Sequence, residues 1–305
     1  MKRLFIFLLT NIAAVATLTV VAAVVCALCG VDIATVLDGG GATGLLVFSF
    51  VFGMAGAVVS LLLSKPMVKA AMKCKVIDGT EGDAERWLVD TVADLARRAN
   101  LKTPEVAVYR GEANAFATGA FKNSALVAVS TGIMEQMSRE ELRAVLGHEM
   151  SHVANGDMVT MSLTQGVINT FVIFFSHVLA GVLQMALSSK ENGERRRRGG
   201  FGNYYMYHMF VQLFQAVFGI FAMIVLMWYS RKREFAADAG SAKLLGSPSP
   251  MIAALRRLGN LQPGILPDSI KAFGIASGKT SVFASHPSLD DRINALMNLP
   301  PDYAA

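Results

Sequence analysis

Four long stretches of the chain are apolar and contain no charged residue. They run from Leu4 to Val31, from Gly39 to Ser64, from Met158 to Ser189 and from Gly199 to Ser230. A helix needs about 20 predominantly apolar residues to cross a bilayer, and each stretch meets that length. We therefore predict four membrane-associated helices. The first is longer than the roughly 7–15 apolar residues of a signal-peptide core, which predicts that it stays on the mature protein as an anchor.

Between the second and third stretches the pattern is that of a soluble domain. Apolar side chains recur at helical spacing over residues 83–99, which predicts an amphipathic helix. Ser138 followed by Glu141 is the signature of a capping box, and Asn155-Gly156 is a typical helix stop, so a second helix should run from Ser138 to Asn155. Alternating apolar residues predict a short strand at 105–110, and we expect further short strands at 114–118 and 125–130.

These patterns divide the chain into four parts. We predict a pair of transmembrane helices at 1–64, the first part of a soluble domain at 65–157, an apolar hairpin at 158–230 and the second part of the soluble domain at 231–305. The predicted fold is mainly α, with membrane helices beside an α+β domain that contains a small sheet.

The distribution of charge supports a membrane protein. Only 17% of the 305 residues are charged, against about a quarter in soluble proteins. The formal net charge is +5, but the basic residues cluster at the ends of apolar stretches, at Lys2-Arg3, Lys65–Lys75 and Arg231–Arg233. Such placement indicates contact with the lipid bilayer and no nucleic-acid partner. Positive charge outside the first two stretches, with none in their connecting loop, predicts that the soluble domain lies in the cytoplasm.

The apolar hairpin at 158–230 has two interpretations. Its loop contains four consecutive arginines, Arg195–Arg198. If both stretches cross the bilayer, these arginines lie outside, against the rule that positive loops stay inside. Alternatively, the hairpin enters the membrane only in part and its loop stays cytoplasmic, which polar residues such as Gln165 and Asn169 favour. Both arrangements leave the soluble domain facing the cytoplasm.

One five-residue motif carries the candidate chemistry. His148-Glu149-Met150-Ser151-His152 lies within the helix predicted from Ser138, and a spacing of four places both histidines on one helix face, where they can bind one ion. Zinc favours imidazole nitrogen and keeps an open position for water in catalytic sites. Glu149 can take a proton from that water. The motif predicts a zinc peptidase with one Zn²⁺ per chain.

A third protein ligand is needed. His177 and His208 lie in apolar stretches, where hydrogen-bonded packing is the commoner role of a histidine. Glu234 and Asp238 are four residues apart on a predicted helix, so Glu234 can ligate the metal while Asp238 orients a ligating histidine. The alternative is a solvated acidic face beside the basic cluster, and the residues alone leave both interpretations open.

Further motifs accompany the His-Glu-x-x-His segment along essentially the whole chain. They are the paired N-terminal apolar stretches, Asn155-Gly156-Asp157, Asn114-Ala115-Phe116-Ala117-Thr118-Gly119, Arg233-Glu234-Phe235-Ala236-Ala237-Asp238, and Ser285-His286-Pro287-Ser288 with Arg292. With these motifs the chain resembles the HtpX family of membrane-bound heat-shock zinc metalloproteases. That family is related to the CAAX prenyl proteases and to mitochondrial quality-control metallopeptidases.

The resemblance implies a zincin-like metalloprotease domain whose active-site helix bears the His-Glu-x-x-His motif. It implies that Glu234 is the third zinc ligand and that Asp238 is bonded to His148. It implies that His286, with Arg292 nearby, supports the developing oxyanion, although a loop-to-helix boundary is the alternative role of this segment. The implied edge strand, which pairs with substrate backbone, comprises Asn114, Ala115, Phe116, Ala117 and Thr118.

The resemblance also implies a place and a task. The chain would be a multi-pass protein of the bacterial inner membrane that cleaves misfolded or damaged membrane proteins from the cytoplasmic side. Its partners would be those substrates, the lipid bilayer and other quality-control proteases of the membrane. One alternative is a CAAX-type protease acting on lipidated tails, which typically has more membrane helices. The other is a non-catalytic, zinc-stabilised membrane scaffold, but structural zinc sites are usually closed by four ligands and rich in cysteine.

Overall fold

The computed structural model describes residues 41–188, 200–260, 286–300 and 303. The first predicted apolar stretch, the arginine run at 195–198 and Ser285 lie outside these ranges. The chain divides into two compact units, one made of Met1–Val59 and Ser162–Val225 and the other of Ser60–Met161 and Leu226–Ala305. The four-part division made from the sequence remains a prediction.

Helices dominate the described residues, and four short strands accompany them. In chain order the elements are α1 (Gly41–Ala71), β1 (Lys75–Ile77), α2 (Asp83–Arg98), β2 (Glu105–Tyr109), β3 (Ala115–Thr118), a 3-10 turn (Lys122–Ser124), β4 (Leu126–Ser130), α3 (Thr131–Gln136), α4 (Arg139–Asn155), α5 (Asp157–Ser188), α6 (Gly200–Leu245), α7 (Ser249–Asn260) and α8 (Leu289–Met297). The predicted helix at 83–99 and the three predicted strands are present, each with a boundary one residue shorter. Asn114 therefore precedes β3 and is not part of it.

The four strands form one sheet in the order β1-β2-β4-β3. β2 and β4 run parallel, while β1 and β3 pair antiparallel at the two ends of the sheet. β3 is bonded to β4 along one edge, with Ala117 opposite Val127. Its other edge meets no strand in the described part of the chain.

Both faces of the sheet are covered by apolar side chains. On one face, Val106 and Val127 join side chains of α2, α4 and α7 in the main core. On the other face, Tyr109 and Phe116 pack with Val68 from the last turns of α1. Because successive strand residues point to opposite faces, strands buried on both sides are nearly continuous apolar runs.

Helix α4 begins and ends where the sequence predicts. The backbone N–H of Glu141 donates to Ser138 Oγ at 3.3 Å, and the N–H of Ser138 donates to the Glu141 carboxylate at 2.8 Å, which completes the capping box. The helix ends at Gly156, whose φ of 72° lies in the left-handed region that glycine adopts without steric cost. Leu146 and Met150 anchor the helix in the main core. The His-Glu-x-x-His motif thus lies on a well-packed helix.

Three of the described helices are long and apolar enough to cross a membrane, over Thr43–Ala71, Asp157–Leu187 and Asn203–Leu245. They expose large apolar side chains, such as Phe171 at 51% and Phe221 at 61%. Lipid covers such side chains in membrane proteins, whereas water would leave them unfavourably exposed. These three segments are therefore candidate membrane helices, and they coincide with the second, third and fourth predicted stretches.

Two features of the fold were not expected from the sequence. The short elements β1 and α3 have no distinct pattern of their own. Helix α6 runs without interruption from Gly200 to Leu245, so the fourth apolar stretch and the helix that carries Glu234 and Asp238 are one element.

Candidate metal centre

Helices α4 and α6 cross through small residues. A Cβ atom on Gly240 of α6 would lie 2.6 Å from Ser151 Oγ on α4, and one on Gly147 of α4 would lie 2.8 Å from Ser241 Oγ. The Ser241 hydroxyl donates to the carbonyl of Ala144 at 2.8 Å. The two helices thus approach closely enough for neighbouring side chains to share one site.

Three potential metal ligands converge beside this crossing. His148 Nε2 and His152 Nε2 are 3.1 Å apart. The carboxylate of Glu234 places one oxygen 3.5 Å from His148 Nε2 and the other 3.4 Å from His152 Nε2. One ligand atom from each residue can be chosen so that all lie within 4.8 Å of one another. Such a set, two imidazoles and a carboxylate, matches the protein ligands of catalytic zinc sites.

Two aspartates fix the orientation of the histidines. Asp238 Oδ1 lies 2.9 Å from His148 Nδ1, and Asp157 Oδ2 lies 2.7 Å from His152 Nδ1. When each Nδ1–H donates to its carboxylate, each Nε2 presents a lone pair, and the two lone pairs face each other across 3.1 Å. That arrangement is repulsive unless a proton or a cation lies between them. The donor set therefore fits a metal ion.

The charges at the site also fit a divalent cation. Four carboxylates at the site are buried, namely those of Glu149, Asp157, Glu234 and Asp238. Arg233 pairs with Asp157, and Arg292 pairs with Asp238. With neutral histidines, these residues leave an excess of two negative charges, which is unfavourable in the interior unless it is balanced.

The pKa shifts of His148 and Glu149 also reflect the buried charges at the site. Burial acts to lower the pKa of His148, yet Asp238 and Glu234 raise it above the usual value. Burial raises the pKa of Glu149, because it outweighs the opposite effect of the nearby histidines. A buried glutamate with a raised pKa is a better proton acceptor than an exposed one.

Arg292 and His286 complete the site from the C-terminal end of the chain. Arg292 donates from Nε to Asp238 Oδ2 at 2.8 Å and from Nη2 to Asp238 Oδ1 at 2.7 Å. His286 Nδ1 lies 2.8 Å from an oxygen of Glu234. Within the described residues His286 Nε2 is buried and has no hydrogen-bond partner.

The free edge of β3 faces the same site. Glu149 is only 5% exposed, and the backbone of Ala117 is near enough to its carboxyl group to act against the rise in its pKa that burial causes. Ala117 is in the middle of β3, whose other neighbour is β4. A peptide added to this edge would therefore pass close to Glu149.

Comparison with known proteins identifies the family. Residues 83–299 match the sequence profile of Peptidase family M48, and this span contains all the residues described above as ligands or as their partners. The chain belongs to peptidase family M48. This M48 peptidase is 51% identical over 301 residues to the Protease HtpX homolog of Janthinobacterium sp. (strain Marseille), covering 98% of this chain and 100% of that protein. It is 50% identical over 302 residues to the Protease HtpX homolog of Bordetella pertussis (strain Tohama I), with 98% and 99% coverage.

These relatives confirm the resemblance found in the sequence, and the M48 peptidase is a membrane metalloprotease of the HtpX type. A solved structure, that of Ste24p from S. mikatae, is similar with a TM-score of 0.56 and 17% sequence identity. The match covers 93% of this chain and 66% of that one. At that identity the likeness concerns the fold, and it confirms the predicted combination of membrane helices with a metalloprotease domain.

The structure brings the predicted site residues of the M48 peptidase together. His148, His152 and Glu234 form one cluster, and Asp238 is bonded to His148 as the resemblance implied. The roles of these residues, and those of His286 and Arg292, remain predictions.

Two residues at the site were missed. Asp157 follows the end of α4, where helical periodicity no longer applies, and its only signal was its place in the Asn155-Gly156-Asp157 motif. Arg233 was grouped with the basic cluster at the end of an apolar stretch.

Proposed function

We propose that this M48 peptidase is a zinc-dependent endopeptidase that cleaves peptide bonds with Glu149 as general base. The observation that carries the proposal is the convergence of His148, His152 and Glu234 within 4.8 Å, beside a buried glutamate. Two imidazoles and one carboxylate leave a coordination position for water, as catalytic zinc sites do. A structural site would normally be closed by four protein ligands, which argues against the scaffold alternative.

His148, His152 and Glu234 would hold the ion, and Asp238 would orient His148. A bound zinc ion supplies a Lewis acid that acidifies water and polarises a carbonyl group. Glu149 accepts the proton of the attacking water and then returns it to the leaving amine. Its burial supports this role because a raised pKa makes the carboxylate a better proton acceptor. His286 Nε2 is the donor that we assign to the developing oxyanion.

We assign substrate binding to the free edge of β3. Backbone groups on a strand edge bind the main chain of an extended peptide and tolerate many side chains. This broad selectivity suits a protease of misfolded or damaged membrane proteins. We further propose that the site faces the cytoplasm at the bacterial inner membrane, where tethering brings it near the loops of such substrates.

Cleavage of a single-span membrane protein with an unstructured cytoplasmic loop tests the proposal. The purified wild-type protein should cleave it only when zinc is present. Glu149→Gln should lower the cleavage rate by about 100- to 10,000-fold, the usual contribution of a general base, while retaining bound zinc. Glu140→Gln is the matched control, because Glu140 is an exposed glutamate in the first turn of the same helix, and it should cleave at the wild-type rate.

The proposal would be contradicted if Glu149→Gln cleaved the substrate at the wild-type rate. It would also be contradicted if the wild type still cleaved the substrate after all zinc had been removed. A lipidated peptide ending in a CAAX sequence should be offered in parallel. Preference for that peptide over the membrane protein would favour the CAAX-type alternative, because the catalytic residues are the same and only the substrate differs.

A further inference from the structure

The second histidine of the motif has an unexpected carboxylate partner. Asp157 Oδ2 lies 2.7 Å from His152 Nδ1, and Asp157 is only 4% exposed. The left-handed Gly156 ends α4, and Asp157 is the first residue of α5. The left-handed residue between the two helices thus places the aspartate beside an imidazole of the helix that has just ended.

The second oxygen of Asp157 is in contact with an arginine. Arg233 Nη2 pairs with Asp157 Oδ1, and Arg233 immediately precedes Glu234 in α6. The arginine side chain is 25% exposed and that of Asp157 is 6% exposed. A carboxylate held in this way at both oxygens has little freedom to rotate away from His152.

The arrangement repeats the one behind the first histidine. His148 is bonded to Asp238, which is bonded in turn to Arg292. His152 is bonded to Asp157, which is paired with Arg233. Each imidazole of the motif thus has an aspartate behind it and an arginine behind the aspartate.

We propose that Asp157 and Arg233 are positioning residues that keep the proton of His152 on Nδ1 and its Nε2 lone pair toward the metal. This inference rests on the proposed zinc site. A carboxylate that accepts the Nδ1 proton fixes the ring orientation and makes Nε2 a stronger ligand. Asp157 is the first residue of α5, and Arg233 lies on α6 directly before Glu234.

A purely structural role is the rival explanation for Asp157. An acidic residue in the first turn of a helix is stabilising because it faces the positive end of the helix dipole, and α5 begins at Asp157. Asparagine is nearly isosteric and is also favourable at a helix start. It lacks the charge that holds the Nδ1 proton, so Asp157→Asn separates the two roles.

The experiment measures zinc affinity of the purified full-length protein by competition with a chromogenic chelator. Asp157→Asn should weaken zinc binding about 10- to 100-fold, the usual effect of losing such a partner, while the melting temperature of the metal-free protein stays at the wild-type value. Asp157→Glu, which keeps the carboxylate, should recover part of the affinity. Asp94→Asn is the matched control, because Asp94 also pairs with arginines, at 2.9 Å from Arg98 and 2.7 Å from Arg143, but it should bind zinc as the wild type does.

Arg233→Gln gives a second route if Asp157→Asn does not fold. It should lower the zinc affinity by less than Asp157→Asn, and the double variant should bind no more weakly than Asp157→Asn alone, because both changes act through one carboxylate. Wild-type affinity in both single variants, or additive losses in the double variant, would overturn the inference. If the wild type itself binds no zinc, the proposed function fails, whereas a zinc-binding wild type with unaffected variants refutes only the role of Asp157 and Arg233.

Discussion

Arg292 is the largest side chain that is fully buried in the described structure. Its guanidinium makes two hydrogen bonds to Asp238 and lies 3.5 Å from an oxygen of Glu234. A planar guanidinium can bind both oxygens of one carboxylate, which the compact ammonium of lysine cannot do. Arg292 therefore neutralises Asp238 and fixes its orientation toward His148.

We expect Arg292→Met to destabilise the metal-free protein by about 3–5 kcal/mol, the usual cost of leaving one charge of a buried pair without its partner. Arg292→Lys should be intermediate because it restores the charge without the paired hydrogen bonds. The measurement is chemical unfolding in detergent with a chelator present. Arg256→Met is the control, since Arg256 is an exposed arginine of α7, and its stability should match the wild type. Equal losses in the two methionine variants would contradict this account of Arg292.

The parts of the site that the sequence predicted are those with local signals. The capping box at Ser138 and the glycine after Asn155 set both ends of α4, and a spacing of four places His148 and His152 on one face whatever the tertiary structure. Asp157 was missed because its contact with His152 depends on the left-handed backbone at Gly156, which interrupts the helical period.

The family resemblance placed Arg292 near the site, but its bonds to Asp238 were not predicted, because they depend on the packing of α8 against elements far away in sequence. Similarly, charge alone suggested a boundary near residue 230, but the helical pattern of α6 continues through the change from apolar to charged residues. The change in composition indicates where the surroundings of a helix change from lipid to water. It does not indicate where the helix ends.

The crossing of α4 and α6 predicts an unusual response to a Gly→Ala change. Alanine normally stabilises a helix by about 1 kcal/mol relative to glycine. At Gly240, however, the new Cβ would lie 2.6 Å from Ser151 Oγ and 2.8 Å from Ser151 Cβ, so the helices must move apart. We expect Gly240→Ala to lose about 1–3 kcal/mol of stability and to bind zinc more weakly, because Glu234 moves with α6.

Gly219→Ala is the matched control for this change. It lies on the same helix, and an added Cβ there meets nothing within 4 Å, so thermal unfolding and zinc binding should be unchanged or slightly improved. If Gly240→Ala binds zinc with the affinity of the wild type, the close approach of the two helices is not what positions Glu234.

A second glycine tests the packing of the apolar helices. A Cβ on Gly53 of α1 would lie 2.5 Å from the backbone nitrogen of Thr170 on α5, whereas one on Gly56 meets nothing within 4 Å. Backbone cannot give way as a flexible side chain can, so Gly53→Ala should lower the melting temperature in detergent and Gly56→Ala should not. Close helix approach at small residues is a major source of stability between membrane helices. Equal melting temperatures for the two variants would exclude this contact as a source of stability.

The length of α5 and the exposure of its side chains distinguish between the two interpretations of the hairpin at 158–230. α5 has 32 residues, about 48 Å at 1.5 Å per residue, which exceeds the bilayer core of about 30 Å. It exposes apolar side chains along its whole length, from Leu163 at 41% to Leu187 at 42%. A hairpin that entered the membrane only in part would leave the distal side chains in water, whereas a complete crossing covers them with lipid.

We therefore expect α5 to cross completely, despite the arginines that follow it. In a background without the three native cysteines, Leu187→Cys should react with a membrane-impermeant maleimide in intact cells. Glu140→Cys, on the exposed start of α4, should react only after the membrane is permeabilised, because the catalytic elements should face the cytoplasm. If both cysteines react only after permeabilisation, residue 187 lies on the cytoplasmic side. The prediction that α5 crosses the bilayer completely is then wrong. If both react in intact cells, the proposed cytoplasmic orientation of the active site is wrong, since Glu140 and the metal ligands of α4 share one helix.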